Sequence, residues 1–306
     1  MPHESLEEEG IFMAEEKVTI FYNHQYYYSW DKVMNADDRG LQFGDGCYEW
    51  IRVHKGHPFA LSYHVDRLYR SMRLLGIRAV IAPDEFTEIN EIVAEENQIQ
   101  EGYLVMVVTR GAGPHDFTVP GRMALAPNTL VYARNLDMED IEKVQQGVSC
   151  ITMEDTRWPH CDILSLNMLP NIMDRAKALK KRCYDAIYVR NGLVQEATHS
   201  NLFIVKDGVV WTTAPSAYML KGITRSLIMD RVAPTAGITV IEPDAPQQLI
   251  TPERLASAEE VFLTNSAAGV IPVLQIDGKP VADGKIGKVT ASLQKHYLHL
   301  LEDGLP

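Results

Sequence analysis

The stretch Glu154-Asp155-Thr156-Arg157-Trp158-Pro159-His160-Cys161-Asp162-Ile163-Leu164-Ser165-Leu166-Asn167-Met168-Leu169 constrains the fold of this chain more than any other. It leaves a strand pattern at 148–153 and enters a helix pattern at 170–182, so the chain must make a strand, a polar connection and a helix here. Ser165 or Asn167 is expected to cap the helix through its side-chain oxygen. By residue type alone the stretch is a strand-to-helix connection with a buried Trp and Leu.

The rest of the chain alternates the same two periods. Residues 1–16 form an acidic, frayed leader, and 17–28 have strand character with a turn at 23–25. Gly44 and Gly46 allow a tight bend before a strand in which Tyr48, Trp50 and Arg52 share one face. Lys55-Gly56 turns a hairpin. Helices are expected from 64 to 75, stopped by Gly76, and over 83–97; strands over 102–109 and 130–133, with a turn-rich loop at 110–117 between them. In the second half, strands over 186–190, 194–196, 202–206 and 209–212 are separated by Asn191-Gly192 and Asp207-Gly208 turns. A helix over 224–232 should end before Pro234. Strands follow at 239–242, 261–264 and 273–276, with helices at 251–256 and 287–301. The polar run 134–142 is the best linker, which divides the chain into a smaller N-terminal α/β domain, 1–133, and a larger C-terminal domain, 143–306. The class is mixed, α+β / α/β.

Composition narrows the function. With 306 residues, 46% of them hydrophobic, the chain can fill a sizeable core. A net charge of −12 without a basic stripe argues against nucleic acid as partner. Cys47, Cys150, Cys161 and Cys183 show no metal-ligand spacing, so no metal is expected and reduced thiols in the cytoplasm are the simple reading. No apolar run of about 18 residues suggests a membrane span, and the acidic N-terminus does not resemble a signal peptide.

Several short motifs can carry chemistry. Leu220-Lys221-Gly222-Ile223-Thr224-Arg225 places a glycine just before a helix, where unpaired amides of Ile223 and Thr224 make a phosphate cradle; Thr224 as a plain helix cap is the alternative. Thr264-Asn265-Ser266-Ala267-Ala268-Gly269 is a small-residue turn that supplies a further amide and hydroxyl, or is only a turn. Arg67 adds a permanent cation, or sits on a solvated helix face. Glu196 ends a short strand, followed by Thr198, His199, Ser200 and Asn201. A carboxylate in such a place can keep a pyridine nitrogen protonated, although a lone Glu is more often a surface residue and His199 by default a hydrogen-bonded histidine.

Taken together, Phe43-Gly44-Asp45-Gly46-x-Tyr48-Glu49, His64-x-Asp66-Arg67-Leu68, Arg157-Trp158-x-x-Cys161-Asp162-Ile163, Glu196-x-x-x-Ser200-Asn201 and Leu220-Lys221-Gly222-Ile223-Thr224-Arg225 resemble the motifs of fold-type IV pyridoxal-phosphate aminotransferases, D-amino acid transaminases most closely. They stand in the family order and span roughly residues 20–295. The resemblance implies a two-domain fold-type IV architecture, a homodimer, and pyridoxal 5'-phosphate or pyridoxamine 5'-phosphate between the domains. It implies that Arg67, Ile223, Thr224 and Ser266 hold the phosphate, with Ser200, Asn201 and Asn265 also binding the cofactor. Glu196 would pair with the pyridine nitrogen, Leu220 would pack on the ring, and Tyr48 and Trp50 would face an amino acid or 2-oxo acid substrate.

Two positions depart from the family. Its members read Asp-Ile-Lys-Ser-Leu-Asn where this chain reads Asp162-Ile163-Leu164-Ser165-Leu166-Asn167. The family lysine links the cofactor as an imine and moves the proton at the substrate carbon; Leu164 can do neither. Loss of one positioned acid–base group costs about 10²–10⁴-fold. At Pro114-His115-Asp116-Phe117, His115 stands where the family carries an arginine for the substrate carboxylate, with Arg52 or Arg110 as a substitute. Three readings follow: an aminotransferase with lowered or redirected activity; a non-catalytic protein that binds pyridoxal or pyridoxamine phosphate non-covalently; or lysine-independent lyase or racemase chemistry with His199 or Tyr48 as base.

Overall fold

The computed structural model describes residues 18–28, 34–118 and 125–305, so the leader expected over 1–16 lies outside the described residues. The first half is one antiparallel sheet. A two-strand ribbon, β1 (Ile20–Tyr22) and β2 (Gln25–Tyr27), precedes a short helix, α1 (Arg39–Phe43), capped by the Asp38 side chain. Gly44 takes the left-handed φ of 67° and turns the chain into the long strand β3 (Gly46–His54). After β4 (His57–Pro58) come α2 (Leu61–Leu75), α3 (Pro83–Glu96), β5 (Glu101–Thr109) and β6 (Asn128–Asn135). The strands lie in the order β2-β1-β6-β5-β3-β4. The alternation of β3 sends Cys47, Ile51 and Val53 into a core with Val65, Leu68 and Met72 of α2 and Phe86, Ile89 and Val93 of α3.

The second half opens with α4 (Met138–Gln145), β7 (Val148–Glu154) and α5 (Leu169–Lys180), then β8 (Asp185–Arg190), β9 (Leu193–Ala197), β10 (Asn201–Lys206) and β11 (Val209–Thr212). A helical run follows: α6 (Ile223–Leu227), a π-helical turn (Ile228–Val232) and α7 (Ala233–Thr235). β12 (Val240–Ile241), α8 (Pro252–Ala256), β13 (Glu260–Asn265), β14 (Gly269–Ile276), β15 (Lys279–Pro280) and α9 (Lys288–Asp303) complete it. Its sheet runs β12-β11-β10-β13-β14-β7-β8-β9, with β15 on β14, and mixes parallel with antiparallel pairs. The expected mixed helix-and-sheet class is present. The halves share apolar packing, because Phe59 and Ala60 join Phe203, Ile223, Phe262, Leu293 and Tyr297 in one core cluster. Among the described residues no helix is long and apolar enough to cross a membrane.

Three local expectations are corrected. Neither Ser165 nor Asn167 caps α5: Met168 holds the cap position without a side-chain bond, and Pro170, which needs no donor, occupies the first turn. Pro234 does not end its helix. The π-helical turn before it closes with the Ala233 amide on the Ile228 carbonyl, and the proline then starts a fresh turn, where its missing N–H costs nothing. The run 134–142 is largely structured, since β6 extends through Asn135 and α4 begins at Met138 with Asp137 as its cap, leaving two irregular residues.

Candidate active site

A cavity of about 370 Å³ is lined by residues of both halves of the chain. The connection after β7 forms one wall, and β3 holds it in place. The Tyr48 amide donates to the Leu164 carbonyl at 3.0 Å, the Leu166 amide donates to the Gly46 carbonyl at 3.0 Å, and Ser165 bridges to Cys47. Leu164 is thereby fixed in the cavity wall with Tyr48 and Trp50. Trp158 also lines the cavity but is 40% exposed, so the buried tryptophan expected in this connection is instead a rim residue.

Glu196 lies one residue before the end of β9 with 7% exposure, not as a surface residue. Arg157 donates to its Oε1 at 2.7 Å, and the Leu220 amide and Asn201 Nδ2 donate to Oε2 at 3.0 and 3.2 Å. Burial raises Glu196 to about 7 despite Arg157. The guanidinium is shared: Nε and Nη2 bond Asp155 at 2.9 and 3.1 Å, and Arg157 stacks 4.0 Å over the Tyr188 ring. Against burial, Asp155 first and then Glu196 hold Arg157 charged.

Asn201 ties Glu196 to the next wall. Its Nδ2 also donates to the Leu220 carbonyl at 2.8 Å, and its Oδ1 accepts from the Gly222 amide at 3.1 Å. A Cβ on Gly222 would lie 2.1 Å from that oxygen, which is why glycine stands here. The helical run starts immediately after, with Ile223 and Thr224 in the cavity wall and their first-turn amides outside the helix's own bonding pattern. Asn265 shapes the facing turn: its Oδ1 accepts from the Ala267 and Ala268 amides at 3.1 and 2.9 Å, and its Nδ2 donates to Ser200 Oγ at 3.1 Å.

Arg67 is not on a solvated face. Its Nε and Nη2 grip both oxygens of Glu49 at 2.7 and 2.8 Å, and Nη1 donates to the Lys221 carbonyl at 3.1 Å. His64 Nδ1 lies 2.7 Å from Glu49 Oε2. Burial pushes Glu49 up, but Arg67 and His64 more than offset it and hold the carboxyl below its ordinary range. Burial keeps His64 below its own, and therefore neutral. His199 lines the cavity with Asp185 Oδ2 3.0 Å from Nδ1, Tyr184 Oη 3.2 Å from Nε2, and Arg175 Nη1 against the ring nitrogens.

The cavity thus gathers Tyr48, Trp50, Arg67, Leu164, Glu196, His199, Ser200, Asn201, Leu220, Ile223, Thr224, Asn265 and Ser266. It does not gather Arg52 or His115. Arg52 is buried and turned to Glu101 and Met138, and His115 faces Gln42 Oε1 at 3.1 Å on an exposed loop. Arg110 is spent on Asp45 and on the carbonyls of Leu75 and Gly76. None of the three is a cavity cation. Sequence reasoning missed Glu49, Asp155 and Asp185. Glu49 had a signal: it alternates with Cys47 and Ile51 on the buried face of β3, and a buried carboxylate needs a cation.

The donor set fits an anionic aromatic ligand. Arg67, the start of a helical run and the turn at 265–268 suit a phosphate group. Thr264 lines the cavity at 2% exposure, and its hydroxyl has no hydrogen-bond partner among the described residues. Leu220 and Ile223 offer apolar surface, and Glu196 suits a ring N–H. Among the described residues, no lysine lines this cavity.

Comparison with known proteins gives the same direction. A family model described as amino-transferase class IV matches residues 46–276. The chain is 38% identical over 269 residues to a D-alanine aminotransferase of Listeria monocytogenes, covering 88% of this chain and 91% of that one. A crystal structure of the branched-chain amino acid aminotransferase of Escherichia coli superposes with a TM-score of 0.83 at 26% identity, covering 93% and 95%. The T.th. branched-chain amino acid aminotransferase with pyridoxamine 5'-phosphate superposes with a TM-score of 0.80 at 25% identity, covering 96% and 97%.

Proposed function

Since the chain belongs to the class IV aminotransferase family, we propose that its cavity holds pyridoxal 5'-phosphate or pyridoxamine 5'-phosphate without a covalent link, and that amino transfer between an amino acid and a 2-oxo acid is held far below the family's rate by Leu164. The observation that carries this reading is the pairing of a cofactor-type donor set with an apolar side chain, and no lysine among the described lining residues. When bound, the cofactor carries the amino group and draws electrons from the substrate carbon through its ring. Arg67, Ile223, Thr224 and Ser266 would receive the phosphate, and Glu196 the ring N–H. Asn201 keeps Glu196 and the helix start in one register. Leu164 has no proton to give or take.

The relatives named D-alanine aminotransferase make D-alanine with a 2-oxo acid the first substrate pair to try. The lyase or racemase reading gains no support. Both ring nitrogens of His199 are occupied, and burial raises the Tyr48 phenol to about 12, which keeps it protonated. We extend the reading to a homodimer, supported by Leu169, Ile172 and Met173, exposed on one side of α5. Division into two domains near residues 136–137 is supported by the separate sheets on either side. Four unpaired cysteines fit a cytoplasmic location.

The test is an absorption titration with pyridoxal 5'-phosphate, followed by hydride reduction and intact-mass measurement, on wild type and Leu164→Lys. Wild type should bind the chromophore and lose it on dialysis, while the variant should gain one cofactor mass and D-alanine amino transfer at least about 10²-fold above wild type. A covalent cofactor on wild type contradicts the reading.

A further inference from the structure

Asp155 lies outside the cavity lining, buried in the connection just after β7, yet it is the group that holds Arg157. Its Oδ1 accepts from the Arg157 amide at 3.0 Å and from Nε at 2.9 Å, and its Oδ2 accepts from Nη2 at 3.1 Å. Nη2 also donates to the Tyr218 carbonyl at 3.0 Å, and Nη1 is the nitrogen that reaches Glu196. Arg190 closes the far side. Its Nη2 lies 3.2 Å from Asp155 Oδ1 and donates to the Arg157 carbonyl at 2.6 Å, while its guanidinium stacks 3.9 Å over the Tyr218 ring. The row Glu196, Arg157, Asp155, Arg190 therefore alternates in sign. Glu196 has limited room for a further donor. A carboxylate accepts about four hydrogen bonds, two on each oxygen. The Leu220 amide and Asn201 fill Oε2, and Arg157 takes one place on Oε1. A ring N–H must arrive on Oε1, beside Arg157.

We propose that Asp155 is a positioning residue for the ring end of the cavity: it fixes and compensates Arg157, which leaves the charge of Glu196 free to hold a proton on a pyridine nitrogen. The inference rests on the reading that Glu196 receives the ring N–H. Arg157 and a protonated ring are both cations, and they would meet on one buried oxygen. A single carboxylate cannot compensate two buried cations, so a second one is needed within reach of the first cation. Asp155 is that second carboxylate. Arg190 draws on Asp155 from the other side and weakens its hold on Arg157.

Pyridoxamine 5'-phosphate carrying a nitrogen-15 label in its ring is bound to wild type, Asp155→Asn and Arg190→Met, and the ring nitrogen is followed by NMR as a function of pH. Wild type should keep the ring protonated at neutral pH. Asp155→Asn should lower the ring-nitrogen pKa by about one unit or more, and Arg190→Met should raise it. An unmoved pKa in Asp155→Asn, or no rise in Arg190→Met, overturns the role. An analogue with carbon in place of the ring nitrogen should bind Asp155→Asn as it binds wild type; equal weakening of both ligands marks Asp155 as merely structural and also overturns it. Arg190→Met keeps Asp155 and decides alone if Asp155→Asn does not fold. If the ring bound to wild type is unprotonated at neutral pH, the pairing with Glu196 fails first and takes this inference with it.

Discussion

At the scale of single residues, the proposed function turns on Leu164 and Glu196. Leu164 is held by two backbone hydrogen bonds between its segment and β3, so a lysine placed there would start from a fixed backbone inside the cavity. Glu196 pays for its burial in the absence of a ligand cation. Its folded-state pKa of about 7 lies above the ordinary 4.5, so its contribution to stability is complete below pH 4.5 and is lost as pH rises through 7. Thermal melts of ligand-free protein should show this fall between pH 4.5 and 7, and Glu196→Gln should remove it. An identical pH profile in the variant would show that Glu196 is not the buried, neutral-leaning acid described here.

At the scale of elements, the site is built where strands end and a helical run begins. Asn201 at the start of β10 bonds Glu196, Leu220 and Gly222, so one amide sets the spacing between two walls. Gly222 has an ordinary φ of −64°, and its need for glycine is purely steric. Gly222→Ala should therefore cost about 1–3 kcal/mol in chemical denaturation and weaken pyridoxamine 5'-phosphate; a variant as stable as wild type would show that Asn201 can swing away. Much of this layout was legible in the sequence. The period of β3 places Tyr48 and Trp50 together, and Gly222 before Ile223 marks the helix start. Arg52 was misread because alternation gives a face but not what covers that face further along the strand: Tyr48 and Trp50 meet the cavity, whereas Arg52 meets Glu101. The Ser165 cap was misread because that residue bridges to Cys47, a long-range pairing that no local pattern encodes. The partnership of Asp185 with His199 was hidden for the same reason, since it joins β8 to the loop after β9.

At the scale of the whole molecule, the two halves share one cluster, in which Phe59 and Ala60 pack with Phe203, Phe262 and Tyr297, and the cavity draws on both halves. The exposed apolar side of α5 gives the proposed dimer a direct test. Ile172, 62% exposed, becomes a buried charge in Ile172→Glu if α5 is covered by a second copy. Sedimentation should show wild type as a dimer and the variant shifted toward monomer; two monomers would contradict the assembly. The most direct test of the central claim is the intact mass of the purified protein after loading with pyridoxal 5'-phosphate and hydride reduction. The account predicts an unchanged mass for wild type and a gain of one reduced cofactor for Leu164→Lys. A one-cofactor gain on wild type would show that another lysine serves the cavity and would contradict the role assigned to Leu164.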